Sequence, residues 1–152
     1  MSILERLERD MIEATKARQS ERLGVIRFVR SELKNRQIEL GRELEDDDAI
    51  EVLARVAKRH NESIAQFAEG GRDDLVEQER RQLAFVQDYM PERLGEAEIA
   101  ALIEEAIGEV GATDPRGLGL VMKAIMPKVK GRADGRAVKA MVEARLKAPE
   151  EE

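Results

Sequence analysis

The sequence predicts an all-α fold of about seven helices. Apolar residues recur at three- and four-residue spacing along nearly the whole chain, and no stretch alternates as a strand would. Glycine, proline and capping residues punctuate the periodic segments at helix-sized intervals. The 152 residues suit one compact unit or two small helical subdomains.

Each element follows from local signals. Ser2 and Glu5 form a capping box, with Ile3, Leu4, Leu7, Met11 and Ile12 on one face of a first helix. Ser20 caps a second, striped by Leu23, Ile26, Val29, Leu33 and Leu40 and ended by Gly41. The acidic run Glu45 to Asp48 suits the positive end of a third helix. That helix carries Ile50, Leu53, Val56, Ala57, Ile64 and Phe67 and stops at Gly70-Gly71. A fourth runs from near Asp73 through Leu75, Val76, Leu83, Val86 and Met90 to Pro91. Its polar middle, Glu77 to Gln82, implies a helix that bridges two packed regions.

Pro91 to Gly95 is the expected subdomain boundary. A fifth helix uses Ile99, Leu102, Ile103, Ala106, Ile107 and Val110 and ends at Gly111. Asp114-Pro115 starts a sixth, with Leu118, Val121, Met122 and Ile125, closed by Pro127. Gly117 and Gly119 weaken it by about 1 kcal/mol each, which implies a close approach by backbone or ligand. Asp134 caps a seventh helix with Val138, Met141, Val142 and Leu146. The organisation read from this is 1–94 as an N-terminal subdomain with the connecting helix, 95–148 as a C-terminal three-helix bundle, and 149–152 as an acidic tail.

Composition limits the partners. Charged residues make up 38% and the net charge is −6. The chain therefore has no global attraction for nucleic acid or anionic membrane. Any anion site must be local. With no cysteine, disulfides, thiol catalysis and Cys-based metal sites are excluded. The start Met-Ser-Ile-Leu-Glu-Arg fits neither a signal nor a transit peptide, and no apolar run approaches the roughly 18 residues of a membrane span. A cytoplasmic protein without a membrane partner is expected.

The inventory for catalysis is thin. The single histidine, His60, falls on the stripe of the third helix, where a boundary residue with a satisfied ring nitrogen is the expected role. Ser2, Ser20, Ser31 and Ser63 belong to no nucleophile motif. The acid pairs Glu104-Glu105 and Asp46-Asp48 resemble ordinary helix acids more than a cation site. Gly117-x-Gly119 follows no strand and is no dinucleotide loop. Phe28, Phe67, Phe85 and Tyr89 fall at positions expected to be mostly buried, leaving few rings for stacking unpaired bases. No catalytic residue, metal ligand or cofactor is therefore assigned.

Charge is segregated along the chain. Gly95 to Asp114 holds six acids and no bases; Pro115 to Lys147 holds nine bases against two acids. Lys16 to Arg42 holds eight bases against three acids. Within it Arg27, Arg30 and Lys34 share one side of the second helix. The densest point is Pro127 to Arg136, where Lys128, Lys130, Arg132 and Arg136 meet Gly131, Gly135 and the start of the seventh helix. Free amides flanked by cations make a ready anion site. The plainer alternative is a solvated basic loop, with both basic regions paired to neighbouring acidic helices.

Several motifs resemble the GatB/YqeY family, specifically its free-standing YqeY-like members, over essentially the whole length. They are Leu4 to Met11, Arg22-Leu23, Ile26-Arg27, Ile38-Glu39-Leu40-Gly41, Lys58-Arg59, Glu62-Ser63, Gln66-Phe67, Gly70-Gly71-Arg72, Tyr89-Met90-Pro91 and, above all, Met126-Pro127 to Gly135. The resemblance implies two helical subdomains joined by a long helix. The part from Gly95 to Lys147 is similar to the tail of the B subunit of the glutamine-dependent aminoacyl-tRNA amidotransferase, a module that contacts tRNA. It therefore implies tRNA binding at Lys128, Lys130, Gly131, Arg132 and Gly135; the charge pattern itself adds Arg136 beside them and the Arg27, Arg30 and Lys34 face as a second contact. The amidotransferase's catalytic portions have no counterpart here. The alternatives are an accessory component of a tRNA-dependent amidotransferase, a carbon–nitrogen ligase with glutamine as amido donor, and a helical protein-interaction adaptor. An amidotransferase or a synthetase is the partner enzyme the resemblance suggests.

Overall fold

The computed structural model describes residues 1–147, so the acidic tail expected at 149–152 lies outside the described residues. Seven α-helices and one 3₁₀ turn account for about four-fifths of the described chain: α1 (Ile3–Lys16), α2 (Ser20–Leu40), α3 (Asp46–Glu69), α4 (Asp73–Gln87), α5 (Glu96–Val110), a turn at Pro115–Gly117, α6 (Leu118–Val129) and α7 (Gly135–Lys147). No strand occurs among the described residues, and the fold is all-α.

The helix ends show which local signals operate. Ser2 Oγ accepts the Glu5 N–H at 3.1 Å and so caps α1. At the start of α3, Asp48 Oδ2 accepts the Glu45 N–H at 2.9 Å, and the Arg42 guanidinium grips the same carboxylate at 2.8 and 3.0 Å. The Arg42 hydrogen bond, with that of the Glu45 amide, draws the Asp48 carboxyl down to about 2. Asp46 Oδ1 accepts the Ile3 N–H at 3.0 Å, tying the start of α1 to the start of α3. Ser20 is not the cap of α2; it lies inside the helix and Gln19 takes the cap position.

The chain divides into two compact units, Met1–Pro91 and Glu92–Glu152. In the first, α1 to α4 surround a core that includes Leu7, Ile26, Val29, Leu33, Leu53, Val56 and Val86. The fourth helix, read from sequence as a bridge, lies within this unit and packs on α3 and α2 through Val76, Leu83 and Val86. Its polar middle has local partners instead: Glu79 meets His60, and Arg81 meets Glu21 at 3.1 Å. The α1 stripe is also corrected. Leu4 and Ile12 are exposed, whereas Asp10 is buried on the inward face.

In the second unit, α5, α6 and α7 pack around Ile103, Ala106, Val121, Ile125, Val129, Val138 and Val142. Pro127 does not close α6, which continues to Val129. Proline there removes only the bond to the Lys123 carbonyl, close enough to the helix end for the last residues to stay helical. Gly117 sits where a Cβ would come within 2.6 Å of the Ala112 Cβ. The close approach expected there is thus made by the preceding turn. At Gly119 a Cβ would meet nothing within 4 Å.

Candidate nucleic-acid interface

Two local features build the turn between α6 and α7. Gly131 adopts a φ of 74°. That is a left-handed geometry which a side chain resists. Asp134 Oδ1 then accepts the Arg136 N–H at 3.1 Å and caps α7. The cations of this turn have different surroundings. Lys128 Nζ lies 3.4 Å from both Glu105 and Glu109 of α5. Partial desolvation lowers its pKa, but the hydrogen bonds to Glu109 and Glu105 outweigh that and raise it. Arg132 Nε donates to the Glu92 carbonyl at 3.0 Å, while its own carbonyl accepts the Leu94 N–H at 2.8 Å. Arg132 therefore fastens the entry segment of the second unit to the turn. Lys130 closes α6 by donating its N–H to the Met126 carbonyl at 3.0 Å. Gly135 opens α7, and the Arg136 side chain is exposed.

The basic side of α2 is arranged differently. This helix carries three acids, Glu21, Glu32 and Glu39, which share one side at helical spacing. Glu21 pairs with Arg81 at 3.1 Å, Glu32 with Arg59 at 3.2 Å and Glu39 with Arg36 at 2.9 Å. Arg27, Arg30 and Lys34 lie across the helix from them, and all three are exposed. Arg30 rests its guanidinium on Met11 Sδ at 2.8 Å. Arg27 and Lys34 have no acidic partner among the described residues. The acids of α2 are thus neutralised on one side and a cationic side is left facing water.

Between α2 and α3 lies a groove of about 420 Å³, lined by Glu32, Asn35, Arg36 and Glu39 from one helix and by Val52, Arg55, Lys58, Arg59 and Glu62 from the other. Phe28 is joined to it through Arg59. The sequence places this ring among mostly buried positions, yet it is 45% exposed and stands outside the hydrophobic core. The Arg59 guanidinium covers the ring 5.5 Å from its centroid. Phe28 escapes a search for core periodicity because it lies at the edge of the α2 stripe, next to Val29.

Sequence reasoning also misses a buried polar cluster. Asp10 is 6% exposed, and its carboxylate accepts the Tyr89 hydroxyl at 2.5 Å. Arg9 lies 3.2 Å and Arg22 3.7 Å from the same carboxylate, and Arg6 stacks over the Tyr89 ring at 5.1 Å. Burial drives the Asp10 carboxyl upward, but the Tyr89 hydrogen bond and the arginines outweigh it and leave it below the ordinary value. The available signal is a lone acid on an apolar stripe. Its partners come from motifs far apart in sequence, Leu4 to Met11, Arg22-Leu23 and Tyr89-Met90-Pro91. His60 has the satisfied ring nitrogen expected of it, with Nδ1 2.6 Å from Glu79 Oε2. Among the described residues no three His, Asp or Glu side chains gather as a metal-holding group, and no helix is long and apolar enough to cross a membrane.

Comparison with known proteins gives the lineage. The family described as YqeY-like protein matches residues 4–146. The chain is 32% identical over 134 residues to "Altered inheritance of mitochondria protein 41, mitochondrial" of Pyrenophora tritici-repentis, covering 86% of this chain and 73% of that protein. It is 27% identical over 146 residues to the protein of that name in Lachancea thermotolerans, covering 92% and 76% respectively. These relatives overturn the cytoplasmic placement expected from the sequence, since both are named as mitochondrial proteins. Helix periodicity and composition describe the folded body, whereas a compartment is set by an address that import machinery reads. With its match running through all seven helices, the chain belongs to the YqeY-like protein family.

Proposed function

We propose that this protein is a non-catalytic RNA-binding protein that holds the ribose-phosphate backbone of tRNA. The observation that carries the reading is the separation of charge across α2. All three of its acids are engaged by arginines, and Arg27 and Lys34 remain exposed without an acidic partner among the described residues. In a chain of net charge −6, such a local cationic side is what a polyanion would find. Arg30 extends it toward α1.

The turn at Lys128, Lys130, Gly131, Arg132, Gly135 and Arg136 plays the lesser part. A phosphate reaching Lys128 competes with two carboxylates, and Arg132 is already engaged by the Glu92 carbonyl. Arg136 is an exposed side chain there, as Lys130 is, and adds to the contact.

Salt-titrated tRNA binding tests this with the wild type, an Arg27→Ala/Lys34→Ala double variant and a Lys128→Ala/Lys130→Ala/Arg132→Ala triple variant. The double variant loses most of the affinity, and its slope of log K against log salt falls by roughly 1.5, as expected for two lost phosphate contacts. The triple variant loses less. Failure of tRNA to bind the wild type at low ionic strength, or full binding by the double variant, overturns the reading.

A further inference from the structure

We propose that Phe28 and Arg59 form a stacking platform for one unpaired RNA base, so that the preferred ligand carries a single-stranded nucleotide beside its bound phosphates. This rests on the RNA-binding reading and names the kind of RNA. The Phe28 ring is 45% exposed and stands outside the hydrophobic core. Arg59 covers it 5.5 Å from the centroid and is itself steadied by Glu32 at 3.2 Å. Such a guanidinium is drawn to the ring face by the aromatic quadrupole. A flat aromatic surface with a fixed guanidinium beside it is the chemistry that stacks a base without regard to sequence.

The neighbourhood suits a nucleotide. Phe28 shares the side of α2 that carries Glu32, and Arg27 and Lys34 lie about a third of the way round the helix from it, so a strand held by their cations can turn one base over the edge of the helix onto the ring. Gly24, one turn before Phe28, has open space where a Cβ would stand, so backbone can approach the helix beside the ring. The groove of about 420 Å³ next to the platform has room for a single base, and Asn35 and Glu32 on its wall offer hydrogen-bonding groups to a base edge. Double-stranded RNA keeps its bases stacked and presents no free base to Phe28.

The test compares a blunt RNA duplex with the same duplex carrying a four-nucleotide 3′ overhang, one position of which is 2-aminopurine. The wild type prefers the overhang by about 5- to 150-fold, the range for one stacked base, and 2-aminopurine fluorescence is quenched on binding. Phe28→Leu, which keeps an apolar side chain at an exposed position, abolishes both the preference and the quenching and leaves blunt-duplex affinity unchanged. Arg27→Ala/Lys34→Ala weakens both RNAs alike. An unchanged preference in Phe28→Leu, or equal binding of the two RNAs by the wild type, overturns the platform while leaving the phosphate contacts standing. Absence of binding to either RNA sinks both together.

Discussion

The hydroxyl of Tyr89 donates a 2.5 Å hydrogen bond to the carboxylate of Asp10 across 79 positions of sequence. It joins α1 to the residues just past α4 at a point where both partners are buried. Tyr89→Phe strips a partner from a buried acid, and destabilises the first unit by about 1–3 kcal/mol in chemical denaturation. The pH dependence has a definite sign. The Asp10 carboxyl lies below its ordinary value of 3.8 in the folded protein, so its contribution is present above that value and lost as pH falls below it. Burial and then the Asp10 bond push the Tyr89 phenol well above its ordinary value of 10.0; that contribution is complete below pH 10.0 and lost as pH rises beyond it. Tyr89→Phe removes the alkaline decline, which melting curves across pH will register.

Lys128 stands between two states. Its pairs with Glu105 and Glu109 are between partly exposed groups, and such pairs are individually weak. Glu105→Gln/Glu109→Gln releases the ammonium group and removes two negative charges from the approach to the turn. RNA affinity at low salt rises several-fold, and the log–log salt slope steepens by roughly 0.7–0.9 for one added phosphate contact.

Gly24 lies inside α2, where glycine costs about 1 kcal/mol relative to alanine. An added Cβ there meets nothing within 4 Å. Gly24→Ala therefore raises the melting temperature of the first unit. The same methyl group stands in the path of a strand passing Phe28, so tRNA affinity falls while stability rises. Parallel calorimetry and binding separate the two effects.

Gly117 is the reverse case. A Cβ placed there comes within 2.6 Å of the Ala112 Cβ, which is anchored to backbone and has no flexible end to swing aside. Gly117→Ala destabilises the second unit by about 1–3 kcal/mol. The Ala112→Gly/Gly117→Ala double variant recovers part of that loss, as a double-mutant cycle will measure.

The existence and order of the helices are legible because apolar spacing and end signals agree at almost every joint. Misreadings arise where one local signal stands without its surroundings. Pro127 reads as a stop, but so near a helix end it removes a single bond. Ser20 reads as a cap, yet the chain enters α2 one residue earlier. Asp10 escapes notice because its importance depends on a hydroxyl 79 residues away. Charge counts reveal the basic segments but not their pairings. Nothing in the one-dimensional pattern tells Lys128, held by acids of α5, from Lys34, which faces water. Phe28 reads as inward by its type, and its exposure is a matter of how α2 lies against α3.

Arg132 meets Glu92 and Leu94 through side chain and carbonyl together. This closes a ring about forty residues around, whose clasp sits upstream of the first turn of α5. Where the second unit is severed from its parent thus matters more than a three-residue difference suggests. A piece starting at Glu92 takes its own buckle along; one starting at Gly95 leaves half of it behind and arrives with the α6–α7 corner unfastened.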